Sequence, residues 1–197
     1  EFTWRDGLVP ILYPPRSPEW VAERRNHVGA SDVGALLNVC PPRYQATPLR
    51  KYREKVGEID GPASSWAMEL GTHNEALIAR RWSRALDIPL IEVPSVYDAA
   101  KPWRMISIDR VGIIDGEPVI VEIKWSSETF DEVPPNYLCQ ITYQMAVSGI
   151  HRALMVAAGP HKEPYQLPVE WRPELAEYIL AAVDSFWNEN VTARVPP

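Results

Sequence analysis

Two runs rich in Val and Ile, residues 104–114 and 118–125, stand on either side of Asp115-Gly116. Period-two alternation marks strands. An Asp-Gly pair between two such runs is what a tight hairpin turn selects, because both turn positions need positive φ. A hairpin in mid-chain constrains the rest, since the flanking segments must supply the layers that cover it. Before it, Ser17-Pro18-Glu19-Trp20 has the capping serine, first-turn proline and acid of a helix start. Residues 32–38, 46–56 and 64–86 read as helices, with Gly71 a candidate break in the longest, and residues 91–97 read as a strand. After the hairpin, a helix follows Pro134-Pro135 to about Ser148, and 154–158 and 165–169 read as strands. A closing helix follows Pro173, with Leu175, Tyr178, Ile179, Ala182, Val183 and Phe186 on one face. This order predicts an α/β fold, a central mixed β-sheet flanked by helices, in a single domain over 1–197.

Composition narrows the class. Hydrophobic residues at 46% supply a core, and 23% charged residues exclude a disordered chain. No apolar run reaches the roughly 18 residues of a membrane span, and no basic, apolar leader opens the chain. Two cysteines, Cys40 and Cys139, are too few for a disulfide scaffold, a Cys-rich zinc site or an iron–sulfur cluster. The expectation is a cytoplasmic protein with no membrane association. His27, His73, His151 and His161 lack metal-ligand spacing. A net charge of −6 is a poor match for a protein that coats nucleic acid. The exception is local: Arg43, Arg50, Lys51, Arg53 and Lys55 are opposed only by Glu54, and this stretch reads as a place to grip phosphate.

The chemistry concentrates in Val119-Ile120-Val121-Glu122-Ile123-Lys124-Trp125. Strand alternation points Glu122 and Lys124 into one space and Val121 and Ile123 into the other. Asp109 ends the run Met105-Ile106-Ser107-Ile108 on the neighbouring strand and can approach Glu122 across the hairpin. Two converging carboxylates repel unless a cation lies between them. Magnesium takes hard oxygen ligands, often one or two carboxylates plus substrate phosphate. Asp109, Glu122 and the Ile123 carbonyl can supply these, with the Lys124 ammonium beside a metal-bound water. The plain alternative is a solvent-facing hairpin with an ion pair, since Glu-x-Lys is common. On residues 64–86 read as one helix, Glu75 shares a face with Met68, Trp82 and Leu86, and a lone carboxylate in an apolar stripe is costly unless paired or metal-bound. A break at Gly71 would instead turn it to solvent. Ser31, after Gly29-Ala30, reads as a helix N-cap, and a helix N-terminus is a natural phosphate site. Ser107 alternates with Asp109 on one strand face. Gln140 and Gln144, one turn apart in an apolar helix, indicate a buried polar site or a subunit contact.

Asp109, twelve intervening residues, then Glu122-Ile123-Lys124 resembles the PD-(D/E)XK nuclease motif, with Ile108 where the motif has proline. The chain more closely resembles the phage lambda exonuclease and YqaJ-like viral recombinase family. Arg24 followed seven residues later by Ser31, Gly71-Thr72-His73-Asn74-Glu75, Ser107-Ile108-Asp109 and Tyr137-Leu138-Cys139-Gln140 resemble that family's segments in the same order, over about residues 20–150. The resemblance implies roles. Asp109, Glu122 and the Ile123 carbonyl would bind metal, Lys124 would serve the attacking water, and Glu75 would help hold a second ion or an outer water. Arg24, Ser31, Ser107 and Gln140 would receive a terminal 5′-phosphate, with Arg25 the rival to Arg24. The implied activity is 5′→3′ digestion of one strand of linear double-stranded DNA, leaving 3′ single-stranded overhangs for recombination. It would use one or two Mg2+ ions, with Mn2+ as the substitute. The family is often a ring-shaped homotrimer whose partner is a single-strand annealing protein, and a phage-encoded member would work in the host cell cytoplasm. The rivals are a structure- or site-specific endonuclease on the same fold and a non-catalytic DNA-end-binding module.

Overall fold

Asp115 and Gly116 both take positive φ, 57° and 81°, and close the expected hairpin. The computed structural model describes residues 2–14 and 17–197. In chain order its elements are β1 (Leu8–Pro10), α1 (Pro18–Glu23), β2 (Val28–Gly29), α2 (Val33–Leu36), α3 (Pro48–Val56) and α4 (Trp66–Leu86). Then follow β3 (Leu90–Ile91), β4 (Val96–Asp98), β5 (Arg104–Ile106), β6 (Arg110–Ile114), β7 (Glu117–Trp125), α5 (Pro135–Ser148), β8 (Ala153–Gly159), β9 (Lys162–Val169) and α6 (Pro173–Ser185). The Ser17 hydroxyl accepts from the Trp20 N–H at 3.1 Å, as its capping role requires.

The main sheet runs β3-β6-β7-β8-β9. It is mixed: β7 and β8 are parallel, and the other pairs are antiparallel. Strand alternation splits the core into two layers. Val121, Ile123, Val156 and Ala158 pack on Ile78, Ala79 and Trp82 of α4. Val111, Ile120, Met155 and Ala157 face the other way, into the larger cluster that holds Ile141, Tyr143 and Met145 of α5 and Ile179 and Val183 of α6. The sheet is therefore flanked by helices on both faces, as the element order predicts. On α6 the expected apolar stripe is only partly buried, because Tyr178 remains 63% exposed.

Two expectations need correction. Residues 91–97 are not one strand. β3 pairs with β6 in the main sheet, whereas β4 pairs with β1 and β5 in a second, four-stranded sheet ordered β1-β4-β5-β2. Pro94 lies between them and has no N–H to offer a ladder. Residues 104–114 are likewise two strands, because the chain leaves the small sheet after Ile106 and enters the main sheet at Arg110. The strands of the small sheet are two or three residues long, too short to show a period. Residues 64–86 hold the expected long helix: Gly71 does not break α4, which is continuous over 21 residues. A single helical glycine costs about 1 kcal/mol relative to alanine, less than a break would need.

The end of β7 is fixed by close approach to β8. A Cβ added at Gly159 would stand 2.3 Å from the Ser126 carbonyl oxygen, a backbone atom that cannot rotate away. Gly159→Ala should therefore destabilise the protein by about 2–3 kcal/mol through overpacking, read as a lowered midpoint in urea unfolding. An unchanged midpoint would mean that this approach is not constrained.

Candidate nuclease site

The carboxylate of Glu122 is the centre of the site. It projects from β7 toward α5 and is only 2% exposed. Burying a charge is tolerated when it is paired and hydrogen-bonded, and three donors meet this one. Its Oε1 accepts from Lys124 Nζ at 2.6 Å and from Gln140 Nε2 at 2.6 Å. Its Oε2 accepts from Gln144 Nε2 at 2.8 Å. Lys124 also donates to Gln140 Oε1 at 3.4 Å and lies 4.7 Å from the centroid of the Tyr137 ring. The solvent-facing alternative for the Glu-x-Lys pair is thus excluded.

Asp109 arrives from the crossing between the two sheets. The β6–β7 ladder ends at the pairing of Arg110 with Val121. Beyond it, the Ile123 N–H donates to Asp109 Oδ2 at 2.7 Å, so the carboxylate substitutes for the missing strand. N–H and C=O of one strand residue lie on the same edge, so the Ile123 carbonyl faces the same opening as Asp109. Burial raises the Asp109 carboxyl well above the usual carboxylate range, and the Glu122 charge raises it further. Burial alone would push the Lys124 ammonium down, but Glu122 and Asp109 outweigh it and hold Lys124 above the usual lysine range. Burial and a hydrogen bond with Tyr44 push the Tyr137 phenol up to about 12, so the ring over which Lys124 sits stays neutral.

These groups fit a hard divalent cation. Two carboxylates that repel each other share a space with a strand-edge carbonyl, the donor set magnesium favours. Among the described residues no three His, Cys, Asp or Glu side chains converge. Glu75 sits on α4 with its Oε1 2.9 Å from Arg110 Nη1. Arg110 also pairs with Glu92 at 3.1 Å and donates to the Asp109 carbonyl. The apolar stripe expected around Glu75 is incomplete, because Met68 and Leu86 are about half exposed while Trp82 is buried.

The residues expected to receive phosphate fall into separate pairs. Arg24 Nη2 donates to Ser31 Oγ at 3.0 Å, whereas Arg25 pairs with Asp60 at 2.6 Å. Gln140 joins the Glu122 cluster. The Ser107 hydroxyl bonds Ser95 Oγ at 2.7 Å, and its carbonyl accepts from Gln144 Nε2 at 2.9 Å. Among the described residues no hydrogen bond links Arg24 or Ser31 to Ser107 or Gln140, although α5 touches both groups, Tyr143 Oη donating to the Val28 carbonyl at 3.3 Å. Ser31 is not the expected N-cap. It lies inside a 3-10 turn, Ala30–Asp32, and Asp32 Oδ2 instead accepts from the Gly29 N–H at 3.1 Å.

The basic stretch is not a free phosphate grip either. Lys51 and Lys55 turn inward to Asp32, at 3.1 and 3.0 Å, and Lys55 also donates to the Arg24 carbonyl at 3.0 Å. Arg43, Arg50 and Arg53 pair with Glu128, Glu54 and Glu58. For the two lysines the physical reason is Asp32, a buried carboxylate that needs both cations and that the sequence reading did not single out. Gln144 is the other omission. Its spacing from Gln140 signalled a polar site, but nothing in the sequence tied it to Glu122.

Comparisons with known proteins bear on the fold and the family. Two crystal structures of LHK-Exo, an alkaline exonuclease from Laribacter hongkongensis, superpose with a TM-score of 0.75 each, at 22% and 20% identity, over 91% of this chain and 94% of theirs. One of them holds dAMP. A phage-related exonuclease from Haemophilus somnus 129PT superposes with a TM-score of 0.62 at 8% identity, over 85% of this chain and 96% of that one. The chain thus has the fold of these exonucleases. The family model of the YqaJ-like viral recombinase domain matches residues 19–151, and the chain belongs to that family. It is 25% identical over 190 residues to the uncharacterized protein YqaJ of Bacillus subtilis strain 168, spanning 91% of its own length and 58% of the relative's.

Asp32 gives a pH-dependent test. Burial acts to raise its carboxyl, but Lys55, Lys51 and Arg24 outweigh burial and hold it far below the usual carboxylate range. A depressed folded value contributes stability above the unfolded value and loses it as pH falls toward the folded one. Asp32→Asn should cost about 3 kcal/mol at pH 7, since it leaves buried cations unpaired, and the deficit relative to the parent should shrink as pH falls below about 4. A deficit that stays constant from pH 7 to pH 2 in chemical denaturation would refute the assignment.

Proposed function

We propose that this protein is a metal-dependent deoxyribonuclease that digests one strand of linear double-stranded DNA from its 5′ end. The observation that carries the reading is the buried Asp109–Glu122–Lys124 group with the Ile123 carbonyl at its edge. Family membership and the exonuclease fold support it.

In this reading Asp109, Glu122 and the Ile123 carbonyl hold Mg2+, for which Mn2+ can substitute, and Glu75 stands by for a second ion or an outer water. The ion, when bound, supplies an activated water and offsets charge on the phosphate and leaving group. The chain's own residues do the rest. Lys124 orients or helps deprotonate the attacking water, or stabilises a phosphate oxygen as negative charge develops. Gln140 holds the Glu122 and Lys124 side chains in place. Arg24 and Ser31, already hydrogen-bonded to each other, and Ser107, with Gln140, meet the 5′-phosphate of the DNA end, and Arg24 supplies a fixed charge for it. A terminal phosphate reaches them only at a 5′ end, which sets polarity. Assembly into a homotrimer around duplex DNA would keep an acidic protein on its substrate, and a single-strand annealing protein would receive the 3′ overhang.

The deciding experiment uses end-labelled linear duplex and covalently closed circular duplex with Mg2+. Labelled 5′ mononucleotides should be released from linear DNA, and circles should stay intact. Lys124→Ala and Glu122→Gln should each lower the rate by about 100-fold or more, the scale of lost transition-state stabilisation. Digestion that survives both substitutions refutes the site, and cleavage of closed circles points to an endonuclease. Arg24→Ala should bring rates on 5′-phosphoryl and 5′-hydroxyl ends together, and equal rates in the parent protein would remove the phosphate pocket.

A further inference from the structure

Gln144 is fully buried at 0% exposure. Its amide orientation is fixed by chemistry, because both of its neighbours, the Ser107 carbonyl at 2.9 Å and Glu122 Oε2 at 2.8 Å, can only accept. The NH2 must therefore face them. Its Oε1 points the other way and has no hydrogen-bond partner among the described residues. A buried amide oxygen without a partner costs free energy, so the bidentate hold on Ser107 and Glu122 is what the residue contributes. Ser107 begins the crossing that carries Asp109, and Glu122 is the second carboxylate of the site.

We propose that Gln144 is a positioning residue that couples recognition of the DNA 5′ end to ion binding at the nuclease centre, by holding the Ser107 backbone and the Glu122 carboxylate through one NH2 group. This inference rests on the function proposed above and goes beyond it, because it makes the two subsites one unit. A phosphate seated against Ser107 displaces or stiffens that backbone, and the shared amide passes the constraint to Glu122 Oε2. Coupling between two sites is reciprocal, so an end phosphate tightens ion binding by the factor by which the ion tightens phosphate binding.

The test reads binding as well as turnover. Mn2+ binding is measured by electron paramagnetic resonance on the full chain with a hydrolysis-resistant phosphorothioate duplex, bearing either a 5′-phosphate or a 5′-hydroxyl. The parent should bind Mn2+ about fivefold tighter with the phosphate end, the lower range of ordinary coupling. Gln144→Leu should erase this difference. Gln144→Met, which keeps the length but lacks the NH2, replaces it if the leucine variant gives no cooperative melt. Gln144→Asn, too short to reach both acceptors, should also lose the difference. A folded variant that keeps the fivefold difference overturns the coupling alone, and so does a parent that digests 5′-phosphoryl ends faster than 5′-hydroxyl ends yet binds Mn2+ equally with either. A parent that binds no Mn2+ and digests nothing overturns the nuclease reading and this inference together.

Discussion

A carboxylate buried to 2% exposure must have donors around it, and much of this fold can be understood as the supply of donors to Glu122. Lys124 comes from the same strand, and Gln140 and Gln144 come from α5 packed across the sheet. Breaking one such contact exposes a charge to a low-dielectric interior, where an unpaired ion costs several kcal/mol. The packing of α5 on β7 and the chemistry of the site are therefore one constraint. The helix could not slide by one residue without turning both glutamines away from the carboxylate.

Asp32 repeats the same logic elsewhere in the molecule. It gathers Lys51, Lys55 and Arg24 around one buried charge, and the Lys55 bond to the Arg24 carbonyl ties helix α3 to the segment that carries Arg24 and Ser31. Lys51 and Lys55, which look like part of a binding surface in the sequence, are committed inside the protein, whereas Arg43 and Arg53 stay at the surface in ion pairs with Glu128 and Glu58. The same cluster orients Arg24, whose guanidinium donates to Ser31 Oγ.

The long periodic elements were legible in the sequence. The hairpin about Asp115-Gly116, helix α5 after Pro134-Pro135 and helix α6 after Pro173 all announce themselves through turn chemistry or period. The small sheet does not, because its strands are too short to alternate and are defined only by partners far along the chain. The approach of Asp109 to the Glu122–Lys124 strand was readable as a hairpin neighbour, yet its actual attachment is a side-chain bond to the Ile123 N–H beyond the end of the ladder. The roles of Gln144 and Asp32 stayed hidden for a common reason. Each is a polar residue whose importance comes from charged partners it faces in space, Glu122 for the one and Lys51 and Lys55 for the other, which are distant in sequence.

Only Ser107, Ile108 and Asp109 separate β5 from β6. Three linking residues span little more than about 10 Å even when fully extended, so the two sheets cannot drift apart. Ser107 lies at one end of this strap and Asp109 at the other. The strap thus sets the spacing between the Ser107 hydroxyl and the Asp109 carboxylate by backbone length alone. In the function proposed above, that spacing would measure the distance from a seated chain end to the point of cutting, independent of the sequence of the DNA.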